Sequence, residues 1–194
     1  MRKKLAISNP LSSHGIFREL LDILLFMIIT YGLHYLWWNF LWDYKEVLYI
    51  NEAAGILAQG VFHCASFILD IVGVAHRAID NTLYFDNSSI KVTITCSGLK
   101  QMYQIFFLLL LFPGRFVTKS WFIPAGMVFL FWLNILRIVL LSFVIIIYPA
   151  IWDFSHDWIL RPFFYVVIFV IWLIWLKYFS GRNATETTDG KKHK

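Results

Sequence analysis

Between Trp121 and Pro149 the chain carries a single charged side chain, Arg137. A helix over that run is about 43 Å long, against a bilayer hydrocarbon core of about 30 Å. One tilted or kinked crossing is expected, with Pro124 near one end. Residues 20–42, 97–112 and 158–178 form three further apolar runs. Composition agrees: 59% of the 194 residues are hydrophobic, 15% are charged, and the mean hydropathy is +0.66. Soluble domains are about 45–50% apolar and about 25% charged, and a domain this size has no interior for the excess. The expected class is an all-α integral membrane protein, a bundle of about four transmembrane helices.

Residues 20–42 end in Tyr35, Trp37, Trp38 and Trp42, an aromatic belt that marks one interface. They lack a small-residue cleavage pattern, so no cleavable signal peptide is expected. Residues 97–112 are interrupted by Lys100, Gln101 and Gln104 and stopped by Pro113-Gly114. In the stretch 47–75, Glu52, Gln59, His63, Ser66 and Asp70 share one helical face. That stripe suits a helix lying in the outer interface or a crossing whose polar side faces the bundle. Charge favours the first. With four crossings and both ends inside, the inner side holds Arg2, Lys3, Lys4, Arg18, Arg115, Lys119, Lys177, Arg182, Lys191, Lys192 and Lys194, eleven of the 17 basic residues. The outer side then holds eight of the 12 acids, Asp43, Glu46, Glu52, Asp70, Asp80, Asp86, Asp153 and Asp157, in line with the positive-inside bias. Residues 81–96 alternate around Asp86-Asn87-Ser88 and predict a short hairpin on the outer side. Residues 1–180 read as one polytopic domain, and 181–194 as a disordered, basic cytoplasmic tail.

The formal charge of +5 does not point to nucleic acid, because the basic residues flank apolar runs and form no stripe with aromatics. Cys64 and Cys96 are too few for a disulfide scaffold or a thiolate zinc site, and no C-x-x-C supports a redox pair. His63, His76, Asp70 and Glu52 have no metal-ligand spacing. Neither a metal nor a cofactor is expected.

Three residues stand out, and on this map they lie toward one side. Cys96 precedes Ser97-Gly98 at the head of a crossing, where a helix N-terminus and a cation such as Lys100 or Arg137 favour the nucleophilic thiolate. Arg137 lies too deep to snorkel, and an intramembrane Arg costs at least about 2.5 kcal/mol on insertion scales. Either it pairs with an inward acid such as Asp70 as a structural element, or it stabilises an anion, with Asn134 one turn away as a further donor. His156 precedes the last crossing; within reach of Cys96 it is an acid/base candidate, with Asp153 or Asp157 to orient its ring.

Cys96-Ser97-Gly98 with a basic residue two positions on, Asn134-x-x-Arg137 in a later crossing and His156 before the final one appear in that order. In this the chain resembles the exosortase/archaeosortase family of integral-membrane cysteine transpeptidase-like enzymes, over about residues 90–165. The resemblance implies a compact bacterial member of the cytoplasmic membrane, its active site toward the outer face. Its substrates are exported proteins ending in a short motif, a transmembrane helix and a basic tail. It implies Cys96 as nucleophile, His156 as acid/base and Arg137 as anion stabiliser, with a lipid or surface-polymer acceptor, or water, resolving a thioester. Lys100 stands where many relatives carry Arg, and the chain has fewer crossings than larger members, which leaves the subfamily open. The competing readings are a membrane assembly or transport subunit with a structural Arg137 ion pair, and a membrane acyltransferase that uses His156 without Cys96.

Overall fold

The computed structural model describes residues 13–46 and 48–179. The expected tail at 181–194 and the basic residues Arg2, Lys3 and Lys4 lie outside the described residues. The chain runs through α1 (Ser13–Leu36), a π-helical extension (Trp37–Leu41), α2 (Ile50–Val72), three short strands, α3 (Leu99–Leu111), α4 (Phe116–Ile147), the single turn α5 (Trp152–Phe154), a π-helical segment (Ser155–Leu160) and α6 (Arg161–Tyr178). Four of these stretches, Glu19–Leu41, Ile50–Val72, Phe116–Ile147 and Pro149–Tyr178, are helical, long and apolar enough to cross a bilayer. The outward faces agree: Leu24 and Ile28 of α1, Phe129 and Trp132 of α4, and Val166 and Val170 of α6 are exposed. Such continuous apolar surface needs lipid to cover it, and the helices satisfy their own backbone groups there. The chain is a multi-pass helical membrane protein.

Two buried clusters organise the bundle. One joins α1, α3, the first half of α4 and α6 around Phe26, Ile105, Leu130, Phe164, Trp172 and Trp175. The other joins α2, the second half of α4 and the strands around Val61, Leu69, Leu83, Ile135 and Ile138. The turn after α3 is locked to α6, because Trp175 donates from its indole to the Pro113 carbonyl at 3.1 Å. A Cβ at Gly114 would overlap the Trp175 ring. Gly114→Ala is therefore expected to cost about 1–3 kcal/mol through overpacking. Thermal unfolding in detergent checks this, and a melting temperature equal to wild type would show that the ring has room to move.

The segment Ile50–Val72 departs from one of the two sequence readings. Its buried side chains are Ala54, Ala58, Val61, Phe62, Ala65 and Leu69, and the small ones among them let α2 lie close against α4. Glu52, Gln59, His63 and Asp70 are exposed. Ser66 is half-buried and meets His76 at 2.8 Å, so four of the five stripe residues face outward and one packs against the start of the strand region. The reason is that alanines, and not polar groups, supply the close-packing face. By length and apolarity α2 qualifies as a crossing, whereas Leu99–Leu111 has only 13 residues and is the shorter apolar helix. Gly73 closes α2 in the left-handed region, φ +80, with its N–H on the Asp70 and Leu69 carbonyls.

The hairpin expected around Asp86-Asn87-Ser88 is present and is extended by one strand. Strands β1 (Arg77–Ile79), β2 (Thr82–Tyr84) and β3 (Ser89–Lys91) form an antiparallel meander in the order β1-β2-β3. Asp80 and Asn81, at φ +48 and +58, make the two-residue turn between β1 and β2. Both are residue types that tolerate this conformation, so the dipeptide marks a turn just ahead of the hairpin expected over 81–96. Leu83, Ile90 and Val92 are buried, and Leu83 and Val92 anchor the meander on α2 and α4.

Candidate functional site

A cavity of about 390 Å³ opens where α1 and α4 end and α3 and α6 begin. Its walls include Cys96, Arg137 and His156, together with Lys100, Arg161 and Tyr165. Trp42 after α1, Ala54 in the first turns of α2 and Ile94 after the strands all line the same cavity. The three residues singled out from sequence thus share one space although up to 60 positions separate them.

Cys96 does not stand at the first turn of a helix. It closes a 3₁₀ turn, Ile94–Cys96, and α3 begins only after Gly98, at φ +78. The expectation of a helix N-terminus directly at the thiol is corrected accordingly: the left-handed glycine turns the chain before the helix starts. The half-buried thiol accepts from the Thr93 hydroxyl at 3.6 Å. Asn134, buried in α4, donates from Nδ2 to the Cys96 carbonyl at 2.6 Å. It holds the backbone that carries the nucleophile candidate and is a positioning residue, its amide already engaged. A Cβ at Gly98 would stand 3.2 Å from that same amide nitrogen. Asn134→Leu leaves a part-buried carbonyl without its donor, which is expected to cost about 1–3 kcal/mol and to loosen Cys96. The rate of Cys96 alkylation by a small maleimide should rise, and an unchanged rate would remove Asn134 from any positioning role.

Arg137 is only 7% exposed. Its Nη2 donates to His156 Nε2 at 2.9 Å, and the Phe164 ring lies 5.9 Å from the guanidinium carbon. Guanidinium has no acceptor atom, so Nε2 of His156 must accept and the ring proton sits on Nδ1. That nitrogen donates to Asp157 Oδ1 at 2.6 Å, and Arg161 Nη1 reaches the same oxygen at 3.3 Å. Neighbours in sequence rarely face one another in an α-helix, but Ser155–Leu160 is π-helical, and the wider turn lets Asp157 meet the His156 ring. Trp152 stacks on the other side of that ring, centroids 5.1 Å apart at 11°. Arg137 Nε is buried without a hydrogen-bond partner among the described residues, an unused donor on a residue that lines the cavity.

Two expectations about pairing change. The structural ion pair of Arg137 with Asp70 does not form: Asp70 is exposed and lies 3.7 Å from His76, while Arg137 engages His156. Lys100 is engaged by other groups, with its ammonium 3.1 Å from His34 Nδ1 and 4.8 Å from the Trp38 ring centroid. His34 in turn meets the Tyr165 hydroxyl at 3.0 Å. Sequence reading missed His34, Thr93, Trp152, Arg161 and Tyr165. Only His34 and Arg161 carried a signal, as polar residues inside or beside apolar runs. Asp153, the other residue considered for orienting His156, makes no hydrogen bond or ion pair to it, because the π-helical turn presents Asp157 instead. His76 is engaged by Ser66 at 2.8 Å and by the Val74 carbonyl at 2.9 Å.

In comparisons with family models, curated proteins and solved structures, nothing matches this chain.

Proposed function

We propose that the protein is a membrane-embedded cysteine transpeptidase of the exosortase/archaeosortase type, acting on the C-terminal sorting signals of exported proteins. The observation that carries this reading is the gathering of Cys96 and the connected set Arg137, His156 and Asp157 around one cavity at a bundle end. The Cys96 sulfur attacks the carbonyl carbon of the scissile peptide. The free Nε–H of Arg137 donates to the oxyanion that develops. His156, oriented by Asp157, exchanges protons with the thiol and then the leaving amine once substrate displaces the Arg137 contact at Nε2. Collapse of the tetrahedral intermediate expels the amine with the substrate's helix and tail and leaves a thioester on Cys96. An amine on a lipid or surface polymer, or water, attacks that thioester and restores the thiol. The site faces the outer side of the cytoplasmic membrane, where exported substrate arrives, and no cofactor takes part.

The intermediate is the test. Protein recovered from cells that export such substrates should carry a hydroxylamine-labile acyl mass on the peptide containing Cys96. Deletion of the gene should leave the C-termini of those proteins uncut. Uncut termini in both strains, with a bare Cys96 peptide, would sink the proposal.

A further inference from the structure

The cavity carries more positive than negative charge. Lys100, Arg137 and Arg161 line it, and no Asp or Glu is among its lining residues. Arg137 is engaged by neutral His156, and Arg161 shares Asp157 with that histidine. Lys100 is half-buried and forms no ion pair with a carboxylate among the described residues; its neighbours are the neutral acceptors His34 and Trp38. Arg161 lines the same cavity as Lys100. Asp157 offsets one of these three cations, which leaves the cavity an excess of positive charge that an anion beside Lys100 and Arg161 would offset.

A second opening continues from the first. A groove of about 440 Å³ shares Trp37 and Leu99 with the cavity and is walled by Leu36, Leu41, Ile50 and Phe107. An extended peptide lying there would bury amide groups against side chains that offer them few partners, at a cost. A hydrocarbon chain has no such groups. The joined openings have the shape of an amphiphile, with an anionic head at the cations and an apolar tail along the groove. Trp37, Trp38 and Trp42 beside them suit the headgroup level, where phosphodiesters are the abundant anions.

We infer that the cavity and groove hold one anionic phospholipid, its phosphodiester between Lys100 and Arg161 and one acyl chain against Leu36, Ile50 and Phe107. The lipid offsets the excess positive charge of the cavity. This inference rests on charge and shape and not on the chemistry of Cys96.

Native mass spectrometry of the detergent-purified protein tests it, with phosphatidylglycerol, phosphatidylcholine and inorganic phosphate as probes. Wild type should bind phosphatidylglycerol more tightly than phosphatidylcholine by about tenfold or more. The double variant Lys100→Gln/Arg161→Gln should lose that preference, and Lys100→Arg should keep it. Ala53→Phe, which fills the groove, should weaken phosphatidylglycerol binding and spare inorganic phosphate. Equal affinity for the two lipids in wild type overturns the proposal, as does an undiminished preference in the double variant. Inorganic phosphate that competes as well as phosphatidylglycerol also overturns it, by assigning the anion to solution. If the double variant does not fold, the Ala53→Phe result decides alone. Cys96→Ala should bind lipid as wild type does, so a failure of the transpeptidase reading leaves this result untouched.

Discussion

Cells in which Cys96→Ala or Cys96→Ser replaces the wild-type protein are expected to keep substrate proteins at full length, still anchored by their C-terminal helix. Removing a covalent nucleophile from a set of groups that act as a unit abolishes most of the rate, here a loss of about 10³-fold or more. Cys96 is half-buried and its neighbours bond to its backbone carbonyl, not to its sulfur alone. Both variants should therefore accumulate in the membrane as wild type does. Ser is the sharper of the two, because it keeps volume and a hydrogen-bonding atom near Thr93 while replacing the sulfur nucleophile. An immunoblot of tagged exported proteins reads the outcome. Unchanged processing in both variants would make Cys96 a packing residue and leave the membrane-assembly reading in its place. Activity kept without Cys96 and lost in His156→Gln would point to the acyltransferase reading instead.

Arg137→Lys should be nearly as damaging to activity, although the charge is kept. Lysine carries its charge and three N–H groups on one atom, whereas the planar guanidinium of Arg137 holds Nη2 toward His156 and presents further N–H groups in fixed directions. A lysine at this position lacks that fixed fork, so it places its charge less well at the developing oxyanion. Loss of one oxyanion donor costs about 10²–10³ in turnover. Arg137→Ala should add a stability loss, since it opens a cavity beside Phe164 and strips His156 of its partner at Nε2. The expected pattern is a fall in turnover with little change in the substrate concentration needed for half-saturation, because the contact forms as the oxyanion does. Arg137→Lys working within a factor of about two of wild type would remove anion stabilisation from Arg137 and leave it a structural tie between α4 and the segment before α6.

Local chemistry made much of this molecule readable. The run around Arg137 had to be a membrane helix, because nothing else satisfies its backbone in lipid. The meander's second turn followed from Asp86-Asn87-Ser88, whereas the left-handed Gly98 that delays the start of α3 did not show in the sequence pattern. Candidate site residues could be named for the same reason: an Arg deep in an apolar run is expensive wherever it points. What the sequence by itself determined, then, is which segments are apolar helices and which residue types need a partner.

The tertiary structure alone decided who the partners are. Period fixes the face a residue occupies on its own helix but says nothing about the element packed against it. Arg137 meets His156 and not Asp70 because α4 lies beside the π-helical segment at that level, with α2 turning Asp70 outward. Asn134 and Cys96 are 38 positions apart, and His34 and Tyr165 are 131. Helix packing in lipid depends on the fit of many small contacts, and no local pattern encodes that fit.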